Sequence, residues 1–537
     1  MPGETCGGVY MGIYLNPGNS GFQRIVNSEY VDKTGLIGLV NRVMDTVDNL
    51  ICVSRPRRFG KSFAAKMLCA YYDCSCDSHG LFDDKEIAET EGYLTHLNQY
   101  YVINLDITSF ISEAKRRRVS MADVPNVIVD TLHRELKNMA PGLAAGESFV
   151  EDLIRCVEET GRKVVFIIDE WDALIREGKN DREVQSAYLN LLREWFKNSS
   201  FTPRAVAAAY LTGILPIKKD GSQSAISDFI EYPMLDPGEF AEFTGFTEGE
   251  VKRLCEGCGM SFEDAKSWYD GYDFPEVGAV YNPYSVMMAM RKKKFGSYWQ
   301  KTSAAESLLT YINMDFEGLQ EIVARLIGGE EIQVRTSRFA NDFETFRSRD
   351  DVLTLLIHLG YLTWHAEDGT ARIPNEEVRT EFEEILEGTG ASPRWMELIS
   401  RSRKLLEDTI GGNEDAVARA IEEIRATQYA PTFYNNEQAL RYVVKFAYIA
   451  AVDQYLKIEE LPSGKGIADV VFLPKQKSML PALVVELKWN KSSEGAVEQI
   501  RENNYPAVLK DYCGKIVIAG INYDEKTKKH SCVIEKI

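Results

Sequence analysis

Apolar and polar positions along the chain change their period from one region to the next. Leu50-Ile51-Cys52-Val53, Tyr101–Asp106, Val164–Ile168 and Ala205–Leu211 are short, mainly apolar runs of strand length. Between them, Lys61–Tyr72, Val124–Met139 and Phe149–Thr160 repeat their apolar residues every three to four positions, the spacing of helices. Strands without polar alternation, separated by helices, predict a parallel sheet covered on both faces. Residues 1–23 are rich in Gly, Asn and Ser and are expected as a flexible arm. Pro233, Pro237 and Gly238 mark where the alternation ends.

From 236 to 428 the pattern is mostly helical, with one strand pair around Tyr361–Ile373. Asn282 and Pro283 mark a helix start, and Arg291-Lys292-Lys293-Lys294 suit the negative end of that helix dipole. The tail predicts a helix over Asn436–Leu456 and strands over Ile467–Leu473 and Ala482–Trp489. A helix over Glu494–Asn503 and a strand over Lys515–Ala519 complete it.

A chain of 537 residues exceeds one hydrophobic core and implies several domains. Its 45% apolar and 27% charged residues are ordinary for a globular protein. No apolar run approaches the roughly 20 residues that span a bilayer. The start, Met1-Pro2-Gly3-Glu4-Thr5-Cys6, is not that of a secretory signal. With ten scattered cysteines, read as reduced thiols, this leads to a cytoplasmic expectation. The net charge of −19 argues against a surface that binds nucleic acid everywhere. The acidity is uneven: residues 426–537 hold 15 Lys+Arg and 13 Asp+Glu, or +2, which leaves 47 − 68 = −21 for the rest.

Candidate chemistry lies at both ends. Arg55-Pro56-Arg57-Arg58-Phe59-Gly60-Lys61-Ser62 sits between a strand and a helix. Gly60, Lys61 and Ser62 supply the end of a phosphate loop: backbone N–H groups, a lysine for the outer phosphates and a hydroxyl for Mg2+. Arg55 stands where that motif has its first glycine. The later strand ends in Asp169, a magnesium carboxylate, and Glu170, which would polarise the attacking water. Thr212 at the tip of the next strand could sense the outer phosphate. Arg57 and Arg58 could meet phosphate or pair with acidic neighbours.

Near the other end, Glu486 and Lys488 share one face of an apolar strand, and Asp469 lies on the strand before. In a hairpin Asp469 and Glu486 would converge on Mg2+ or Mn2+, while Lys488 would position water or neutralise developing charge. Glu437 can add a third carboxylate and Gln499 can orient a ligand. Cys255-Glu256-Gly257-Cys258 and the group Cys74, Cys76, His79 fall short of four zinc ligands and are read as structural.

Several segments together resemble proteins that join an AAA-ATPase-like domain to a C-terminal PD-(D/E)XK nuclease domain. They are Tyr30-Val31-Asp32-Lys33-Thr34, the arginine-rich loop, Asp169-Glu170-Trp171-Asp172, Leu211-Thr212-Gly213, Trp268-Tyr269-Asp270-Gly271-Tyr272 and Tyr281-Asn282-Pro283-Tyr284-Ser285. In the tail they are Glu437, Asp469, Glu486-Leu487-Lys488 and Glu498-Gln499-Ile500 with Tyr505. Gly464-Lys465-Gly466 and Ile214–Ser222 depart from the family pattern.

The resemblance implies an α/β fold: a P-loop ATPase domain over 24–235, a helical lid over 236–310, a mostly helical connecting domain over 311–428 and a restriction-endonuclease-like domain over 429–537. It carries nucleotide roles to Lys61, Ser62, Asp169 and Glu170, and metal or catalytic roles to Glu437, Asp469, Glu486, Lys488 and Gln499. The expected function is nucleotide-controlled, metal-dependent cleavage of DNA or RNA, a chemistry compatible with defence or mobile-element biology. The alternative is a nucleotide-dependent switch whose nuclease fold is an inactive binding platform. The expectation leaves a homo-oligomer or a protein partner open.

Overall fold

The structure is a computed structural model. It describes residues 5–6, 9–144, 146–178, 181–217, 226–298, 316–327, 330–339, 346–388, 393–428, 440, 444, 447–448, 451, 455–463, 466–474, 480–502 and 515–537. The chain forms two compact units, Met1–Ala304 with Gln333–Val378, and Ala305–Ile332 with Arg379–Ile537.

The first unit is built on a five-stranded sheet in the order Tyr101–Asp106, Val164–Asp169, Val206–Gly213, Leu50–Ser54, Ile230–Tyr232, every neighbouring pair parallel. Its central strands are buried on both faces. Cys52, Ile103, Phe166 and Leu211 pack into one layer of side chains, while Val53, Val102, Val165 and Tyr210 pack into the other. Two covered faces explain the unbroken apolar runs, because no position on such a strand meets water. The helices Lys61–Tyr72, Val124–Met139 and Phe149–Thr160 have the predicted bounds.

The segment expected as a flexible arm is instead fastened over residues 11–23. Asn16 N–H donates to the Val102 carbonyl (2.7 Å), and Asn104 N–H donates to the Tyr14 carbonyl (2.8 Å), along the outer edge of the sheet. The Glu135 carboxylate accepts the N–H groups of Ile13, Tyr14 and Leu15 at 3.2, 3.0 and 2.8 Å. The arm satisfies an edge that would otherwise present unpaired backbone groups. Within it Asn16 (φ 52°) and Gly18 (φ 76°) take the left-handed conformation of tight turns.

Beyond the sheet, a three-stranded antiparallel sheet of Phe246–Thr247, Gly278–Tyr281 and Tyr272–Phe274 interrupts the mostly helical stretch. Strands of two to four residues carry too little periodicity to be seen in the sequence. The helix Pro283–Lys292 starts as expected, with the Asn282 side chain accepting from Tyr284 and Ser285 N–H. Thr363–His365 pairs with Thr370–Arg372, the predicted hairpin. Tyr272 donates to the Gly360 carbonyl (2.6 Å), tying this small sheet to the helix Arg349–Leu359.

The second unit holds a mixed sheet in the order Tyr455–Ser463, Gly466–Pro474, Ala482–Trp489, Ile516–Asp524, Lys529–Lys536. Only the Ala482–Trp489 and Ile516–Asp524 pair is parallel, and the helix Ser493–Glu502 connects these two strands. The helix expected up to Leu456 is corrected at its end, because the chain is already a strand from Tyr455; residues 436–439 lie outside the described residues. Strands Tyr455–Ser463 and Lys529–Lys536 had no clear sequence signal: Glu459-Glu460 breaks the alternation of the first, and the second is largely polar.

Candidate functional site

In the first unit four parallel strands bring their carboxyl ends to one edge. Asp106, Asp169 and Thr212 stand in register across three strands, and Val53 pairs with Thr212 on the fourth. Ligands bind at such an edge in open α/β sheets. The strand lying between Leu50–Ser54 and Val164–Asp169 in space is Val206–Gly213, which places Thr212 between the phosphate loop and Asp169.

The loop turns on Gly60 in a left-handed conformation (φ 86°), from which the helix Lys61–Tyr72 begins with its N–H groups unpaired by capping side chains. Lys61 is buried, and its ammonium donates to the carbonyls of Arg55 (3.0 Å) and Pro56 (2.9 Å) and lies 3.8 Å from Glu170 Oε1. Burial lowers its pKa, opposed by the fields of Glu170, Asp169 and Asp172. Ser62 is exposed on the first helical turn. Asp169 is 9% exposed and accepts the Thr212 hydroxyl at 2.9 Å. Thr212 itself is fully buried, so in this structure its hydroxyl orients Asp169. Glu170 adopts φ 51° and its other oxygen pairs with Arg176. Asp169 and Ser62 offer hard oxygen donors beside a buried lysine, a donor set that fits Mg2+ bound with a nucleotide phosphate.

The loop's remaining side chains point to the small sheet. Arg55 is buried; its Nε donates to Thr244 (2.8 Å), and its Nη1 donates to the carbonyls of Ser54 (2.8 Å) and Tyr232 (2.6 Å). Phe274 lies under the Arg55 guanidinium at 5.4 Å. The absent first glycine is therefore a strut. Phe59 is buried edge-on against Tyr272. Arg58 stacks 3.9 Å over Tyr284 and donates to the Tyr298 carbonyl, whereas Arg57 is exposed. Sequence reasoning missed Arg55 as a structural residue and missed Arg176, whose i,i+4 spacing from Asp172 was the available signal.

In the second unit Glu486 is 1% and Lys488 8% exposed, and the Lys488 ammonium lies 3.1 Å from Glu486 Oε1. The apolar residues around them put this charged pair inside the sheet's packing. Val470 stands opposite Val485 in the antiparallel register, and Asp469 and Glu486 are the next positions on their strands. Parallel pairing sets Gly520 beside Glu486 and Asn522 beside Lys488. A Cβ on Gly520 would lie 2.4 Å from the Ser493 carbonyl, so only glycine lets the helix Ser493–Glu502 approach this strand. Asn522 is 4% exposed, accepts the Lys491 N–H (3.0 Å), and was not singled out from the sequence. Gln499 lies on that helix, its side chain outside the described residues, as is the side chain of Asp469; Glu437 and Tyr505 lie outside them altogether. Among the described residues no group of three or more His, Cys, Asp or Glu is gathered for a metal, and Cys74, Cys255 and Cys258 are free thiols. The buried Glu486 carboxylate beside Lys488 is an oxygen donor of the kind Mg2+ or Mn2+ takes.

The two sites define a P-loop α/β domain and a nuclease-like mixed-sheet domain on one polypeptide. Residues 18–222 match the family described as predicted AAA-ATPase, and residues 435–532 match the PD-(D/E)XK nuclease superfamily. The chain thus joins an AAA-ATPase-like domain to a C-terminal domain of the PD-(D/E)XK nuclease superfamily. It is 21% identical over 524 residues to an uncharacterized protein in the vnfD 5′ region of Azotobacter chroococcum mcd 1, covering 93% of each chain. Among solved structures it is similar to a Walker-type ATPase of Pyrococcus abyssi (14% identity, 65% of this chain and 94% of that one, TM-score 0.32). It is also similar to the ORC2 protein of Aeropyrum pernix (11% identity, 69% and 99%, TM-score 0.33). Among the described residues no helix is long and apolar enough to cross a membrane.

Proposed function

We propose that this protein binds and hydrolyses ATP in its first unit and uses nucleotide occupancy to control metal-dependent phosphodiester cleavage in its second. The observation that carries the nuclease half is the buried Glu486–Lys488 pair in a strand whose neighbours are apolar. Two charges taken out of water cost several kcal/mol each before pairing. A merely structural position would be served as well by apolar side chains.

In the nucleotide site, Lys61 exchanges two loop carbonyls for the outer phosphates, and Gly60 and the helix N-terminus supply N–H groups to them. Magnesium, when bound with ATP, neutralises phosphate charge. Asp169, oriented by Thr212, and Ser62 would hold it, and Glu170 would polarise water. In the nuclease site a divalent cation supplies a more acidic water and charge stabilisation at the phosphate. Asp469 and Glu486 would hold it, with Glu437 and Gln499 completing the set. Lys488 stabilises the negative charge that develops as the water oxygen bonds to phosphorus and the ester P–O bond breaks.

The test is cleavage of single- and double-stranded DNA and RNA by the full chain with Mg2+ or Mn2+. The proposal expects cleavage that Glu486→Ala and Lys488→Ala each abolish. Cleavage indistinguishable among the three proteins, or absent from all, overturns the nuclease half. The platform reading is favoured by the direct pairing of Lys488 with Glu486. Calorimetric Mn2+ binding that Glu486→Ala removes contradicts that reading.

A further inference from the structure

We infer that Arg176 is a positioning residue for ATP hydrolysis: it holds the Glu170 carboxylate in place through a bridge to Asp172. The inference rests on the ATPase reading above and adds a residue outside the motifs that suggested it.

Glu170 needs an external hold. Its φ of 51° lies in the left-handed region, which a side chain with a Cβ disfavours, so the backbone there does not fix itself. Two cations flank the carboxylate. Lys61 lies 3.8 Å from Oε1, and the Arg176 guanidinium pairs with Oε2. The Lys61 ammonium is bonded to loop carbonyls that a phosphate group would replace, so nucleotide draws it away from Glu170. Arg176 then remains as the partner that fixes the carboxylate.

Arg176 is itself anchored. Its side chain is 14% exposed, and its Nε lies 2.9 Å from Asp172 Oδ2. Asp172 is 2% exposed, and the same oxygen accepts the N–H groups of Ile214 (3.3 Å) and Leu215 (3.1 Å), the residues that follow the strand carrying Thr212. Glu170 is thereby linked through a planar fork to the backbone beside the strand that orients Asp169. A guanidinium spans two carboxylates at fixed angles, which an ammonium does not. The arrangement also sets a second cation beside Lys61 among the carboxylates of Glu170 and Asp172.

The experiment is steady-state ATP turnover and nucleotide affinity of the full chain for wild type, Arg176→Ala, Arg176→Lys, Glu170→Gln and the Arg176→Ala/Glu170→Gln double variant. Misplacing a reacting group by about 1 Å costs on the order of 100-fold, so kcat is expected to fall about 10- to 100-fold in Arg176→Ala. Arg176→Lys keeps the charge, loses the fork and is expected to fall between Arg176→Ala and wild type. It also carries the test if the alanine variant does not fold. Nucleotide affinity is expected to change much less than kcat. The double variant is expected to be no slower than Glu170→Gln alone, because Arg176 acts through Glu170. Unchanged or increased kcat in both single Arg176 variants, or an Arg176→Ala loss that adds in full to the Glu170→Gln loss, overturns the inference. Absence of turnover in wild type overturns the ATPase reading itself and this inference with it.

Discussion

Replacing Arg55 by glycine would restore the first glycine of a phosphate loop, and the motif alone would suggest a better nucleotide grip. The structure predicts the opposite. Arg55 makes three hydrogen bonds of 2.6–2.8 Å from a fully buried guanidinium. Burial pushes its pKa down to about 10, so keeping the cation inside carries a desolvation cost. Removing one member of a buried charged network destabilises by roughly 3–5 kcal/mol, because the remaining polar groups lose their partner. Here those groups are the carbonyls of Ser54 and Tyr232 and the Thr244 hydroxyl oxygen. Glycine adds about 0.5–1 kcal/mol of backbone entropy.

The expected loss for Arg55→Gly is therefore about 3–6 kcal/mol, a large part of a typical domain's stability. Amide hydrogen exchange on the Leu50–Ser54 strand reads it locally. Protection should drop roughly 10²- to 10⁴-fold, at about 1.4 kcal/mol per decade. Arg55→Met, which keeps bulk and sheds the desolvation cost, should lose less, about 1–3 kcal/mol. An Arg55→Gly protein with wild-type protection that binds ATP at least as tightly would refute the strut.

Three further outcomes follow from the same contacts. Glu135→Ala leaves the N–H groups of Ile13, Tyr14 and Leu15 without their acceptor, at about 1–3 kcal/mol for each buried one; limited proteolysis should then cut within residues 11–19, and an uncut arm contradicts the clamp. Burial lowers the pKa of His530 against the pull of Glu422, its ring partner at 2.5 Å. The unfolded chain therefore takes up the proton first, and His530's contribution is present at higher pH and lost as pH falls from its ordinary value of 6.5 through the lowered one. Glu422, which burial would raise, is held below its ordinary value by Arg425 and His530, and its contribution is lost at still lower pH. Melting of the full chain between about pH 7.5 and 5.5 should decline more steeply in wild type than in His530→Gln, and parallel curves contradict this. Gly520→Ala, whose new Cβ meets the Ser493 carbonyl at 2.4 Å, should displace the helix Ser493–Glu502 and lower nuclease activity and melting temperature together; an unaltered protein refutes the close approach.

Long elements were legible because their burial leaves a period. Four strands of the first sheet, Leu50–Ser54, Tyr101–Asp106, Val164–Asp169 and Val206–Gly213, and the helices Lys61–Tyr72 and Val124–Met139 could be placed from apolar spacing alone. The motif residues Lys61, Asp169 and Glu170 were legible too, since chain order and strand ends suffice to bring them to one edge. What stayed hidden depends on distant partners. Nothing local marks Glu135 as the acceptor for an arm about 120 residues away. Arg55 looked like a defect because its partners, Tyr232 and Thr244, come from segments nearly 200 residues downstream. The bond from the Thr212 hydroxyl to Asp169 was also hidden, because it follows from strand register rather than from any local pattern. The strand Lys529–Lys536 forms the sheet's edge, where one polar side suffices and the apolar signal fades.

The proposed function couples a nucleotide site to a phosphodiesterase site on one polypeptide. Its most direct test is the rate of metal-dependent nucleic-acid cleavage by wild type and by Lys61→Ala, each with and without ATP. ATP is expected to change the wild-type rate severalfold, Lys61→Ala to be insensitive to ATP, and Glu486→Ala to be inactive in every condition. Cleavage that ATP alters equally in wild type and Lys61→Ala, or that ATP never alters, would contradict it.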